Sequence, residues 1–165
     1  MIEYETKTCL RFQQSNRGNR VRFRSDLRMG CQSRVGRIPE IRPQHIFLSN
    51  SLCFRHGIIL HEIGHTIGLF HAHTRPDRDD YVRILEENIR PAGLKSFKIQ
   101  NNAKTWNIPY DYNSIMHYGP KKWSMNGRNT IETLDPALQN TLGEQNELSV
   151  LDVQMINKMY NCPSK

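Results

Sequence analysis

The sequence predicts an α+β fold. A small twisted sheet and a core-threading helix occupy the first part of the chain, a mostly irregular stretch follows, and a helix closes it. Three observations lead there. Residues 20–24 alternate as Arg20-Val21-Arg22-Phe23-Arg24, the period of two that marks a strand with one wetted face. Residues 56–69 are apolar around most of a helical circumference, through Ile58, Ile59, Leu60, Ile63 and Ile67, as expected of a helix that runs through a core. Residues 72–147 are rich in Asp, Asn, Arg, Pro and Gly and sustain no periodicity.

Taken in order, the first strand covers residues 21–24, and a turn near Gly30 leads into a second over 32–37. After Pro43, Ile46-Phe47-Leu48 makes a short buried strand. The long helix runs over 56–69, and a short helical turn is expected around 85–89. Ser149-Val150-Leu151-Asp152 has the form of a capping box in its acidic variant. It opens a final helix that places Val153, Ile156 and Tyr160 on one face. There are no repeats and no low-complexity linker, so residues 1–165 read as one domain. A chain of 165 residues buries roughly 70% of its unfolded surface, enough for a single core.

Lys plus Arg number 23 against 16 Asp plus Glu, a net charge of +7. Such a surplus suits an anionic partner in principle. The densest basic stretch (Arg17, Arg20, Arg22, Arg24 and Arg28) nevertheless alternates within a strand and has no nucleic-acid motif beside it. It reads as a solvated surface field, with no nucleic acid as partner. No apolar run is long enough to span a membrane. Four cysteines allow three pairings, and none forms a Cys-x-x-Cys pair. An even count with one cysteine near each end favours disulfides over buried thiols, and so an oxidising compartment.

One segment carries most of the chemistry: His61-Glu62-x-x-His65-x-x-Gly68-x-x-His71. Residues four apart lie one turn above each other on a helix, so His61 and His65 face a single point with Glu62 beside them as a candidate base. Gly68 permits the left-handed backbone that stops a helix, and the chain can then return His71 to the same point. Three imidazoles around a tetrahedral Zn²⁺ leave one position open, the arrangement of a catalytic site. His45, His56 and His73 have no partner at ligand spacing, and surface or core roles are expected for them.

Downstream lies Ser114-Ile115-Met116-His117-Tyr118, which resembles the methionine turn of the metzincins. Its Ser-x-Met-His-Tyr form resembles the astacin family in particular. Thr8-Cys9-Leu10-Arg11-Phe12, Gly30-Cys31-Gln32-Ser33, Val35-Gly36-Arg37, His56-Gly57-Ile58-Ile59, Arg75-Pro76-Asp77-Arg78-Asp79 and the closing Tyr160-Asn161-Cys162 are similar to astacin segments in astacin order. The resemblance implies the metzincin layout: an upper part over residues 1–71, a lower part over 72–165, and one Zn²⁺ in the cleft between them. It implies a zinc endopeptidase in which Glu62 is the general base. The resemblance likewise implies that Tyr118 is a fifth zinc ligand that turns into an oxyanion donor, and that Met116 forms an apolar floor beneath the metal. It also implies pairing of Cys9 with Cys162 and of Cys31 with Cys53. By the same resemblance, protein or peptide substrates are expected to lie along an edge strand through Gln32, Ser33 and Arg34. Tyr110, Asp111 and Tyr112 match the family too, with packing roles, and no chemistry requires His117.

Family kinship and cysteines imply secretion. The resemblance places Met1 inside the family's first long helix. A signal, a propeptide, the first strand and most of that helix are therefore expected upstream, and the chain reads as a catalytic domain lacking its N-terminal part. Two departures stand out. Ala72 follows the third histidine where the family has Glu, and Gly143-Glu144-Gln145 replaces a Gly-Gln-Arg segment that supports an acidic preference; Lys121, Lys122 or Arg128 are candidate substitutes. A catalytically inactive or unstable derivative, binding zinc or protein partners without turnover, stays open beside the enzyme at this point.

Overall fold

A three-stranded sheet supports the first of two units in the computed structural model, which describes residues 1–163 except Asn50 and Glu144. That unit comprises Met1–Leu69, Asn146–Leu148 and Ile156–Lys165; the other comprises Phe70–Gln145 and Ser149–Met155. β1 (Val21–Arg24) runs parallel to β3 (Gln44–Leu48), with Val21 opposite Gln44 and Arg24 opposite Phe47. β2 (Cys31–Ser33) runs antiparallel to β3, with Cys31 opposite Leu48 and Ser33 opposite Ile46. Along β3, buried Gln44, Ile46 and Leu48 alternate with half-buried His45 and Phe47, so one face of the sheet is inward and the other outward. The expected strand over 32–37 stops at Ser33. The chain leaves the ladder before Gly36, whose φ of +70° turns its N–H onto the His65 carbonyl at 2.8 Å.

α2 (His56–Ile67) packs on β2 and β3 and buries Leu60, Ile63 and His65. It ends two residues earlier than the apolar run suggests, because Gly68 adopts φ 112° and its N–H turns back to the Gly64 and His65 carbonyls. An L-residue is strained at that φ whatever space surrounds it. Gly68→Ala is therefore expected to cost about 1–2 kcal/mol, read as a lowered urea midpoint with an unchanged slope. α1 (Ile2–Lys7) docks through Tyr4, fully buried, whose hydroxyl donates to the Leu60 carbonyl at 2.7 Å. Glu3 accepts from the Leu148 N–H at 2.7 Å and from Lys7 at 2.8 Å, and lies 2.9 Å from His56 Nε2. Partial burial works against its charge, but the bonds from Lys7, His56 and Leu148 outweigh that and hold the carboxyl below its ordinary pKa. Cys9 pairs with Cys162 and Cys31 with Cys53, all within this unit.

The second unit is built mainly from short 3₁₀ turns: Ala72–Thr74, Arg78–Asp80, Glu86–Asn88, Pro91–Phe97 and Pro136–Thr141. The turn expected around 85–89 is the third of these. A two-stranded sheet, not anticipated, joins β4 (Val82–Ile84) to β5 (Ile131–Thr133) antiparallel, with Ile84 opposite Ile131. Val82, Ile89, Phe97, Tyr110, Ile131 and Leu142 form its core. Where regular hydrogen bonding is sparse, side chains supply it. Buried Arg75 grips Asp77 at 2.8 and 2.9 Å and donates to the Ile108 and Pro109 carbonyls at 2.9 and 3.1 Å. α3 (Val150–Met159) opens on the predicted capping box: Asp152 N–H donates to Ser149 Oγ at 2.8 Å, and Ser149 N–H to Asp152 Oδ2 at 3.1 Å. Among the described residues no helix is long and apolar enough to cross a membrane.

Candidate metal centre

Helical spacing sets His61 and His65 on one face of α2, with ring centroids 4.6 Å apart and planes nearly perpendicular. Beyond the Gly68 stop the chain reaches His71, and one ring nitrogen from each of the three histidines lies within 4.8 Å of the others. His65 Nδ1 lies 2.8 Å from the Leu69 carbonyl. That nitrogen is therefore the N–H donor, and Nε2 keeps its lone pair for a metal. Burial disfavours the His65 imidazolium, neighbouring His61 adds to this, and the Leu69 carbonyl only partly opposes them; its pKa falls to about 3. At neutral pH the ring is uncharged, as a ligand must be. Three imidazoles without thiolate or carboxylate suit Zn²⁺ rather than Ca²⁺ or Mg²⁺.

Glu62, 5% exposed, adjoins this cluster on α2. Ser33, on the inward face of β2, places its hydroxyl 2.7 Å from Glu62 Oε2 and 2.8 Å from the Glu62 carbonyl. That carbonyl also accepts the Thr66 hydroxyl at 3.0 Å and the helical N–H four residues on. Ser33's single proton is thus best used on the carboxylate, where it holds Oε2 in place. The sequence offered Ser33 only as part of the edge strand. Its side-chain contact with Glu62 depends on how β2 meets α2, which letters do not reveal. β2 pairs only with β3 among the described strands, so Gln32 and Ser33 lie on the sheet's edge strand and Arg34 is the first residue beyond it.

Met116 is 2% exposed, and its carbonyl accepts the Ala72 N–H at 3.1 Å, next to His71. Ala72, standing where Glu was expected, is itself buried. The turn that delivers Met116 is held from α3. Asp152 accepts Ser114 Oγ at 2.6 Å and the Ile115 N–H at 2.9 Å, and Ser114 Oγ in turn accepts the Met116 N–H at 3.0 Å. Tyr118 lies half-buried, with its ring 4.4 Å from that of His71 and stacked on His73 at 4.2 Å. His117 and Tyr110, given no chemistry above, fix the backbone there. His117 Nδ1 lies 2.8 Å from the Tyr118 carbonyl and Nε2 lies 2.7 Å from the Tyr110 hydroxyl. Burial lowers the His117 pKa to about 4, against the pull of the Tyr118 carbonyl, and keeps the ring neutral.

His45 sits with Phe47 on the outward sheet face, ring centroids 5.7 Å apart, and His56 pairs with Glu3. In the Gly143-Glu144-Gln145 segment, Glu144 lies outside the described residues. A Cβ at Gly143 would meet Gly119 Cα at 2.3 Å, so only glycine fits against the residue after Tyr118. Lys121 and Arg128 are exposed, and Lys122 Nζ lies 5.7 Å from the Tyr118 ring centre.

Asp152 gives the site a pH signature. Burial raises its pKa to about 6 and Asp111 adds to the rise, although bonds from Ser114, Ile115 and Ser149 act the other way. The folded form therefore binds this proton more tightly than the unfolded chain, whose reference value is 3.8. The resulting stability is fully present below pH 3.8 and is lost as the pH rises through about 6. A shift of this size corresponds to about 3 kcal/mol. Urea unfolding at pH 4 and pH 7 should show that difference shrinking in Asp152→Asn relative to the parent chain.

A family model described as Astacin, a peptidase family, matches residues 1–161. The chain is 40% identical over 166 residues to zinc metalloproteinase nas-6 of Caenorhabditis elegans, covering 98% of this chain and 46% of that protein. It is 38% identical over 164 residues to nas-14 of the same organism, covering 97% of this chain and 32% of the relative. It thus spans between about a third and a half of the length of these relatives. Among solved structures, high choriolytic enzyme 1, a hatching-enzyme zinc protease from Oryzias latipes, superposes with a TM-score of 0.89 at 38% identity. That match covers 99% of this chain and 80% of the other.

Proposed function

Because the chain belongs to the astacin family of peptidases, we propose that it is the catalytic domain of a zinc endopeptidase that hydrolyses peptide bonds in proteins. The observation that carries this reading is the convergence of three imidazole nitrogens next to a buried carboxylate. His61, His65 and His71 would hold one Zn²⁺ per chain, with Tyr118 as a further ligand at rest. When bound, Zn²⁺ supplies Lewis acidity toward the scissile carbonyl and brings the pKa of water to about 7.

The protein's own groups do the rest. Glu62 takes the proton from water as the water oxygen bonds to the carbonyl carbon. It then hands that proton to the amine nitrogen as the C–N bond breaks. Tyr118 donates its hydroxyl proton in a hydrogen bond to the developing oxyanion, and the Tyr110–His117 pair keeps its backbone in place. Met116 closes the floor. The substrate backbone adds along the edge strand at Gln32, Ser33 and Arg34. Two disulfides and family membership support an extracellular setting, with a propeptide masking the site in a full-length form.

The test starts with chain folded under oxidising conditions. Zinc content by mass spectrometry is expected at about one ion per chain. Cleavage of a denatured protein should stop on chelation and return when zinc is restored. Zinc retained without any cleavage would instead support the inactive, zinc-binding derivative.

A further inference from the structure

The positive charge of this protein is concentrated in one segment. Residues 7–42 contain ten basic side chains against Asp26 and Glu40, whereas the rest of the chain has thirteen basic against fourteen acidic. Nine of the ten are arginine. Within the segment, Arg22 and Arg24 alternate along β1 and share a face, and Arg20, half-buried just before the strand with its guanidinium donating to the Gly18 carbonyl at 3.3 Å, continues the same spacing. Strand geometry spaces them about 6.6–6.8 Å apart. By register, Arg22 lies opposite His45 and Arg24 opposite Phe47, and Gln32 lies opposite Phe47 on the other side. This is the outward face, the reverse of the one that buries Ile46 and Leu48. Arg22 and Arg24 are exposed, and none of the three arginines forms an ion pair with a described residue.

We propose that the outward face of this sheet binds an acidic, sulfated polysaccharide. Three features select that partner. A row of positive charge without ion pairs among the described residues suits a linear polyanion, because each contact releases counterions held along the polymer. Guanidinium groups offer planar, paired N–H donors that fit sulfate and carboxylate oxygens, which ammonium groups do not. The two disulfides, formed in the same unit, belong to oxidising compartments outside the cytosol, where acidic polymers are saccharides rather than nucleic acids. The surface lies on β1, apart from His61, Glu62 and His65 on α2, so the proposal does not depend on the peptidase reading.

Calorimetric titration of the zinc-loaded full chain with a heparin oligosaccharide tests it. A deoxythymidine oligonucleotide of equal charge and phosphatidylserine vesicles run alongside. Arg20→Ser/Arg22→Ser/Arg24→Ser is expected to weaken oligosaccharide binding about ten-fold or more and to flatten its salt dependence. Removing the same charge elsewhere, with Arg83→Ser/Lys95→Ser/Lys98→Ser, is expected to change binding less than about two-fold. Should the first variant fail to fold, the corresponding Arg→Lys triple keeps strand and charge, and a loss of about three-fold is expected from its missing donor forks. The proposal is overturned by no oligosaccharide binding, by equal loss in both serine variants, or by an Arg→Lys triple that binds like the parent. It is also overturned if oligonucleotide or vesicles bind as tightly as the oligosaccharide.

Discussion

Glu62→Gln is expected to lower kcat for peptide hydrolysis by about 10²–10⁴-fold, the range associated with a positioned general base. Zinc content should remain at one ion per chain, and thermal stability should hold. Glutamine keeps the size of the side chain and an oxygen for the Ser33 hydroxyl, which lies 2.7 Å from Glu62 Oε2, but cannot take a proton from water. Single-turnover kinetics with a quenched peptide separate this loss of chemistry from a loss of binding, since KM should move far less than kcat. An unimpaired kcat in the variant would rule Glu62 out as the base. A parallel fall in zinc content would instead point to damage at the imidazole cluster.

Removing the Cys9–Cys162 disulfide, as Cys9→Ser/Cys162→Ser, should cost the largest share of stability of any single change. The bond spans 153 residues of sequence, against 22 for Cys31–Cys53. Chain-entropy bookkeeping assigns about 5 kcal/mol to the longer closure and about 3 kcal/mol to the shorter. Native domains have only about 5–15 kcal/mol in total, so the double variant is expected to be largely unfolded at physiological temperature. Removal of the shorter bridge should leave a folded but weakened chain. Urea denaturation of the two variants checks the ranking. Equal losses, or a larger loss from the short bridge, would contradict the loop-length argument for this protein.

The three-histidine cluster was legible because a helix converts sequence spacing into direction: His61 and His65 four apart, then a glycine stop, leave His71 little choice. The α3 capping box was legible for the same reason, its partners being local. What escaped depended on packing between segments distant in sequence. Ser33 meets Glu62 only through the pairing of β2 with β3 and the packing of α2 on both. Asp152 could be read as a cap, but not as the acceptor for Ser114 and Ile115. β4 and β5 are three residues each, too short for alternation to emerge from the surrounding coil. Tyr110 and His117 gave no sign of their bond because the stretch between them forms neither helix nor strand, so no period fixes where their side chains point.

The double duty of Asp152 has a consequence for shortened versions of this protein. A chain cut just before Ser149 would retain all three imidazoles, Glu62, Met116 and Tyr118, and any pattern search would still score it as a complete enzyme. It would nonetheless have lost the acceptor that fixes the Ser114 hydroxyl and the Ile115 amide. Motif inventories of shortened relatives should therefore count an aspartate at this position of the last helix alongside the three histidines and the glutamate.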